Sequence, residues 1–267
     1  MSPTPLEERL LSTVQASPMA VAVHDRAAWV DLFASDGVVN DPVGSAPHVG
    51  TDAIGRFYDT FIAHSTIRFH VDHDLVVGMS VLRDLTLETT LSGVTLHVPA
   101  HLRYHLVEDG DALKISELHA YWELPAMVGQ MLKTGWPGIR ASVSLSGRML
   151  SNQGIRGAAG FGGGFRRVGK SGRNAVAAVL DAVGRSDTTE VTRHLGDNAT
   201  LEIPAGVPVS VDEFVARAAG LQWRKLISAG SQVTASVTIG DEPGIALFDL
   251  VPGHDRIDHV RIFIKPE

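Results

Sequence analysis

Apolar positions in the first sixty residues recur at helical spacing, interrupted once by a strand-like stretch. Residues 6–15 read as a helix that ends near Ser17-Pro18. Asp25 is placed to cap a second helix running through Trp29, Leu32 and Phe33. Thr51 or Asp52 can cap a third, with Ile54, Phe57, Tyr58 and Ile62 at helical spacing. Between them lies Gly37-Val38-Val39-Asn40-Asp41-Pro42-Val43-Gly44. Its apolar residues predict a strand, the proline keeps Asp41 extended at the strand end, and Gly44 permits the turn that follows.

Longer β patterns come next, at about 81–91, 94–107 and 113–122, with a shorter strand around 72–75. Period-two alternation puts Ala100, Leu102 and Tyr104 on one face, and Leu118, Ala120 and Trp122 on one face of the last strand. Helices followed by an antiparallel sheet make an α+β order. Helices folded onto a curved sheet leave an open mouth in which a small ligand can sit.

The pattern then changes. Residues 126–134 and 137–150 predict short helices, the second with Pro137 in its first turn, and 154–172 is so rich in glycine that it reads as a linker or lid. A new helix begins at Asn174, and from there the chain repeats itself. Asp187 to Ile203-Pro204-Ala205-Gly206 lies over Asp25 to Asp41-Pro42-Val43-Gly44 at the same separation. Three segments follow: a first domain at 1–125, a basic, glycine-rich linker or lid at 126–173, and a smaller, degenerate second domain at 174–267. Isoleucine cannot transfer a proton, so Ile203 in place of Asp41 implies a second domain that serves as a packing partner.

Composition narrows the classes. The 267 residues are 44% apolar, enough for two cores, and contain no cysteine, which excludes disulfide and thiolate chemistry and suits a reducing cytoplasm. Residues 1–15 carry Glu7 and Glu8 and lack the basic and apolar regions of a signal peptide. No apolar run approaches the ~18 residues of a membrane span. The net charge of −7 points to no nucleic-acid partner, but it is unevenly spread. From Leu124 to Leu180 there is no Asp or Glu among eight basic residues: Lys133, Arg140, Arg148, Arg156, Arg166, Arg167, Lys170 and Arg173. This segment either lies across the acidic domains of its own chain or contacts an anionic surface or partner through residues 133–173.

Asp41-Pro42-Val43-Gly44-Ser45 is the most specific stretch. With Leu32-Phe33-Ala34 before it, and Gly50-Thr51-Asp52-Ala53-Ile54 and Phe57-Tyr58 after it, it resembles the bacterial ketosteroid isomerases of the nuclear-transport-factor-2-like superfamily. The resemblance spans about Leu6 to Glu123 and implies a cone-shaped α+β fold, here as two domains pairing within one chain. It implies a cofactor-free reaction in which Asp41 moves a proton along a hydrophobic carbonyl compound, steroid-like or polyketide-like. It also makes the faces carrying Ala100, Leu102, Tyr104, Leu118, Ala120 and Trp122 the interior, completed by Trp29 and Phe57. The family's two enolate-stabilising donors, a tyrosine and a neutral aspartic acid, fall at about Ser17 and at Ala100. Tyr58 matches a supporting tyrosine and is the candidate replacement donor; Tyr104 and Trp122 also qualify if their strands point them inward.

Other features carry less. His70 and His73 point to opposite faces of an extended segment, and His101, His105 and His119 share the face opposite the pocket, so no metal site is expected. The run from Gly164 to Lys170-Ser171 spells a phosphate-binding loop, but glycines precede it where the mechanism requires a buried strand. Two other classes stay open: a binding protein that holds a sterol, lipid or polyketide without turning it over, and a scaffold whose basic segment docks a partner.

Overall fold

The computed structural model describes residues 4–165, 167–251 and 253–265. The chain divides into two units, Met1–Phe165 and Arg166–Glu267.

In the first unit, helix α1 (Pro5–Ala22) opens on a reciprocal cap in which the Thr4 hydroxyl accepts from Glu7 N and the Glu7 carboxylate accepts from Thr4 N. It does not stop at Ser17-Pro18 as the sequence suggests. An interior proline costs about 3 kcal/mol, but α1 buries Leu10, Val14 and Val21 on one face, each worth about 1.5–3 kcal/mol. Packing outweighs propensity. Helix α2 (Arg26–Asp31) is capped by Asp25, which accepts from Ala28 N at 2.9 Å. Strand β1 (Phe33–Asn40), the short β2 (His48–Val49) and helix α3 (Thr51–Phe57) follow. The N-cap of α3 is Gly50, at φ 80°, rather than either polar residue expected there. A single π-turn, Tyr58–Ile62, extends α3.

The sheet continues with β3 (Ser65–Val77), β4 (Ser80–Leu91), β5 (Val94–Asp109) and β6 (Ala112–Tyr121). Its order is β2-β1-β6-β5-β4-β3, with β1 parallel to β6 and the other pairs antiparallel. Strand β3 runs far beyond the short strand expected at 72–75. The alternation Thr66-Ile67-Arg68-Phe69-His70-Val71 was the available signal for its first half, and pairing along the length of β4 carries the strand from Ser65 to Val77.

Helix α4 (Leu124–Lys133) leads into α5 (Trp136–Phe161), which bends at Gly154 (φ 66°) and ends in a 3₁₀ turn, Gly162–Phe165. Helix α5 therefore continues well into the stretch that reads as a linker. Two glycines here are sites of close approach: a Cβ on Gly160 would lie 2.7 Å from Ala46 Cβ, and one on Gly163, in the 3₁₀ turn, would lie 2.7 Å from Gly44 O. Ala46 N donates to Gly160 O at 3.1 Å, tying this end of the helix to the turn after Asp41. Arg166, within the phosphate-loop-like run, lies outside the described residues.

The second unit repeats the succession with α6 (Lys170–Gly184), α7 (Thr188–His194), β7 (Leu195–Glu202), β8 (Pro208–Val209), α8 (Val211–Arg217), β9 (Gln222–Ala229), β10 (Gln232–Ile239), β11 (Glu242–Leu250) and β12 (Ile257–Phe263). Its sheet order, β8-β7-β12-β11-β10-β9, matches that of the first, again with one parallel pair, β7 on β12. Asp187 caps α7 through Glu190 N as Asp25 caps α2. The two curved six-stranded sheets with their helices give the α+β architecture of two cone-shaped domains.

Candidate functional site

Asp41 owes its position to the parallel pairing of β1 with β6. The register sets Val39 against Leu118 and Asn40 against His119. Past the strand end, Val43 N donates to Ala120 O at 2.9 Å, and the Pro42 carbonyl accepts from Ser45 N and Ser45 Oγ. The turn is thus fastened over the end of β6, close to Trp122. The Trp122 indole Nε1 donates to Asp41 Oδ1 at 2.6 Å, a short, charge-assisted bond.

The Asp41 carboxyl faces a cavity with about 1050 Å³ of space between the surrounding atoms, mouth included. Among the described residues that line it, Asp41 is the one charged side chain; most others are aliphatic or aromatic. Burial raises its pKa to about 6, against 3.8 for an ordinary aspartate, and the bond from Trp122 opposes part of that rise. A carboxyl that titrates near 6 is a carboxylate at neutral pH, yet a better base than one titrating near 4.

A second polar group sits on the same wall. Ser17, buried on α1, accepts from Trp29 Nε1 at 3.0 Å. It also hydrogen-bonds the Tyr104 phenol on β5, which burial pushes up to about 12 and which lies within the field of Asp41. Both residues line the cavity.

Of the residues expected from sequence, Asp41, Trp29, Phe57, Leu102, Tyr104, Leu118 and Trp122 converge on this cavity. Ala100 and Ala120 are fully buried on the same sheet face but are not among its lining residues; a methyl group projects too little from the sheet to reach it. Tyr58 is not among them either. Its ring packs on Trp29 at a centroid distance of 5.5 Å, and its buried hydroxyl has no hydrogen-bond partner among the described residues. Burial, then Asp25 and Asp59, raise its pKa, and Arg26 opposes part of that rise.

Sequence reasoning missed the side of the cavity built by the helices after the sheet. Met127, Met131, Leu145 and Phe161 line it, with Phe161 stacked on Phe61 at 5.0 Å. Apolar residues at helical spacing within 126–134 were the available signal. In the second unit, Ile203 occupies the place corresponding to Asp41 and is buried in the hydrophobic core.

Residues 14–117 match the family model of the SnoaL-like domain. A Δ5-3-ketosteroid isomerase from a Mycobacterium species is 30% identical, covering 45% of this chain and 96% of its own, at a TM-score of 0.41. A Mycobacterium tuberculosis protein in complex with estradiol-17β-hemisuccinate is 27% identical over 44% of this chain and 95% of its own, at 0.41. A Mycobacterium tuberculosis epoxide hydrolase is 16% identical over 52% and 95%, also at 0.41. Residues 14–117 therefore form a SnoaL-like domain of the NTF2-like superfamily.

Proposed function

We propose that the first domain is a cofactor-independent isomerase that shifts a double bond in a hydrophobic carbonyl compound, of steroid-like or polyketide-like size. The observation that carries this reading is one carboxyl, poised near pH 6, on an otherwise uncharged and largely apolar cavity wall. The Asp41 carboxylate removes a proton from the carbon between the carbonyl and the double bond. The electron pair moves onto the carbonyl oxygen to form a dienolate, and Asp41 returns the proton at the far end of the conjugated system. Atoms and charge balance without a co-reactant. The developing oxyanion needs a donor, and the Tyr104 hydroxyl, backed by Ser17, supplies it from β5. Asp41 and Tyr104 then act from neighbouring parts of one wall, and the aromatic and aliphatic side chains hold the ring system between them.

The test is conversion of a Δ5-3-oxosteroid to its conjugated Δ4 form, followed by ultraviolet absorbance. Turnover that falls roughly a hundredfold to ten-thousandfold in Asp41→Asn supports Asp41 as the base. A second reading, a binding protein for a sterol, lipid or polyketide, is favoured by the small number of polar lining side chains, Asp41, Ser17, Ser65, Thr89 and Tyr104, on a wall that is otherwise aliphatic and aromatic. Saturable steroid binding without turnover selects it. Neither binding nor turnover places the ligand outside the steroid class.

A further inference from the structure

We propose that the α4–α5 arm is a peripheral docking surface for anionic membranes. Helix α5 is apolar on two opposite sides. One side carries Ala141, Leu145 and Met149; Ala141 and Met149 are buried, and Leu145 lines the cavity. The other carries Trp136, Ile139, Val143 and Leu150, spaced i, i+3, i+7 and i+14, hence within about 60° of one another on a helix. All four are exposed, Trp136 by 76% and Val143 by 68%. Leu132, near the end of α4, adds a fifth exposed apolar residue, at 55%. A solvent-facing helix side is ordinarily polar; this one is not.

The charge around the stripe selects its occupant. Lys133 and Arg140 are exposed beside it, and the arm has no acidic residue from Leu124 through Phe165. Cations flanking an exposed tryptophan and aliphatic stripe are the pattern of a helix lying in the headgroup layer of an anionic bilayer, with its apolar side sunk among the acyl chains. None of the described helices is long and apolar enough to cross a membrane, so the contact is peripheral. The same arm forms part of the cavity wall through Met127, Met131, Leu145 and Phe161. Docking therefore sets part of the wall of an apolar cavity against the phase in which apolar ligands dissolve. The surface argument stands whether the cavity catalyses or only binds.

The experiment is co-sedimentation of the full chain with vesicles of equal parts phosphatidylglycerol and phosphatidylcholine, and with vesicles of phosphatidylcholine alone. Binding is expected to the anionic vesicles and to weaken as salt rises. Each basic residue near an anionic surface contributes about fivefold, so Lys133→Gln with Arg140→Gln lowers the partition coefficient about 25-fold. Trp136→Gln lowers it further. Trp29 and Trp122 are buried; with the half-buried Trp223 replaced by phenylalanine, quenching by brominated acyl chains reports chiefly on Trp136 and is lost in Trp136→Phe. All these positions are exposed, and unchanged thermal unfolding confirms the fold. Turnover or binding of a dissolved ligand is unaffected by these variants, which separates this test from that of the cavity. Equal binding to both vesicle types, indifference to the charge variants, or no binding overturns the proposal. Self-association abolished by Trp136→Gln also overturns it, in favour of a second copy of this chain covering the stripe.

Discussion

Replacing Asp41 with asparagine is expected to stabilise the first domain at neutral pH, by an amount that grows with pH. The cause is the desolvation that tunes the carboxyl. Its pKa is about 6 in the folded domain and near 3.8 in the unfolded chain. The folded state therefore holds this proton more tightly, and stability falls as pH rises from about 4 to about 6 and stays low above that. A difference of this size corresponds to about 3 kcal/mol lost between pH 4 and pH 8. Asparagine accepts the Trp122 bond but does not ionise, so it lacks this loss. Any constant penalty from its unpaired amide shifts the variant equally at every pH, so only the slope is diagnostic.

The assay is urea unfolding of wild type and Asp41→Asn across that range, with Trp136 and Trp223 replaced by phenylalanine in both. Fluorescence then reports on Trp29 and Trp122, both buried in the first unit. Other titrations cancel in the difference between the two proteins. A stability difference rising by about 3 kcal/mol from pH 4 to pH 8 matches the structure. A difference that stays level would refute a desolvated Asp41, and with it the base assigned to that residue.

Four further outcomes follow from the same geometry. Trp122→Phe removes the donor at 2.6 Å from Asp41 Oδ1; bonds to charged groups are worth about 1.5–3 kcal/mol, so the acid limb of the pH–rate profile moves upward by one unit or more. Tyr104→Phe should lower kcat roughly a hundredfold to a thousandfold with little change in KM, as for loss of one oxyanion donor; an equal rise in KM would mean that it only binds. Tyr58→Phe should leave kcat within about twofold and not reduce stability, because the lost hydroxyl is buried without a partner; a large fall in kcat would return Tyr58 to the site. Gly163→Ala sets a Cβ 2.7 Å from Gly44 O, backbone against backbone, and is expected to cost about 1–3 kcal/mol in urea unfolding and to lower kcat by shifting the turn that carries Asp41.

Much of the site is legible in the sequence because it rests on local rules. Proline after Asp41 and the period-two strands suffice to aim Asp41, Leu102, Tyr104, Leu118 and Trp122 toward one space. What the sequence hides is contact across elements. Ser17 at the place of the family's tyrosine looks like a lost donor, and only the packing of α1 against the sheet brings it beside Tyr104 on the cavity wall. Tyr58 does not line the cavity for a simple reason: Phe57 and Phe61 face it, and Tyr58 stands one position round, about 100° away.

The glycine-rich stretch shows why composition alone misleads. Glycine is used both where a backbone must move freely and where another backbone must come very close, and the two uses look identical in one dimension. They differ in what lies opposite. Here Gly160 meets Ala46, Gly163 meets Gly44, and Gly164 meets Pro42, so all three press on the turn beginning at Asp41. That turn is held from the sheet side by the bond from Val43 to Ala120, and from the helix side by glycine contacts that admit no side chain. A carboxyl held off its preferred solvent needs such restraint, since an unrestrained turn would swing it back to water. The segment that reads as the loosest part of the chain thus helps keep its most costly charge in place.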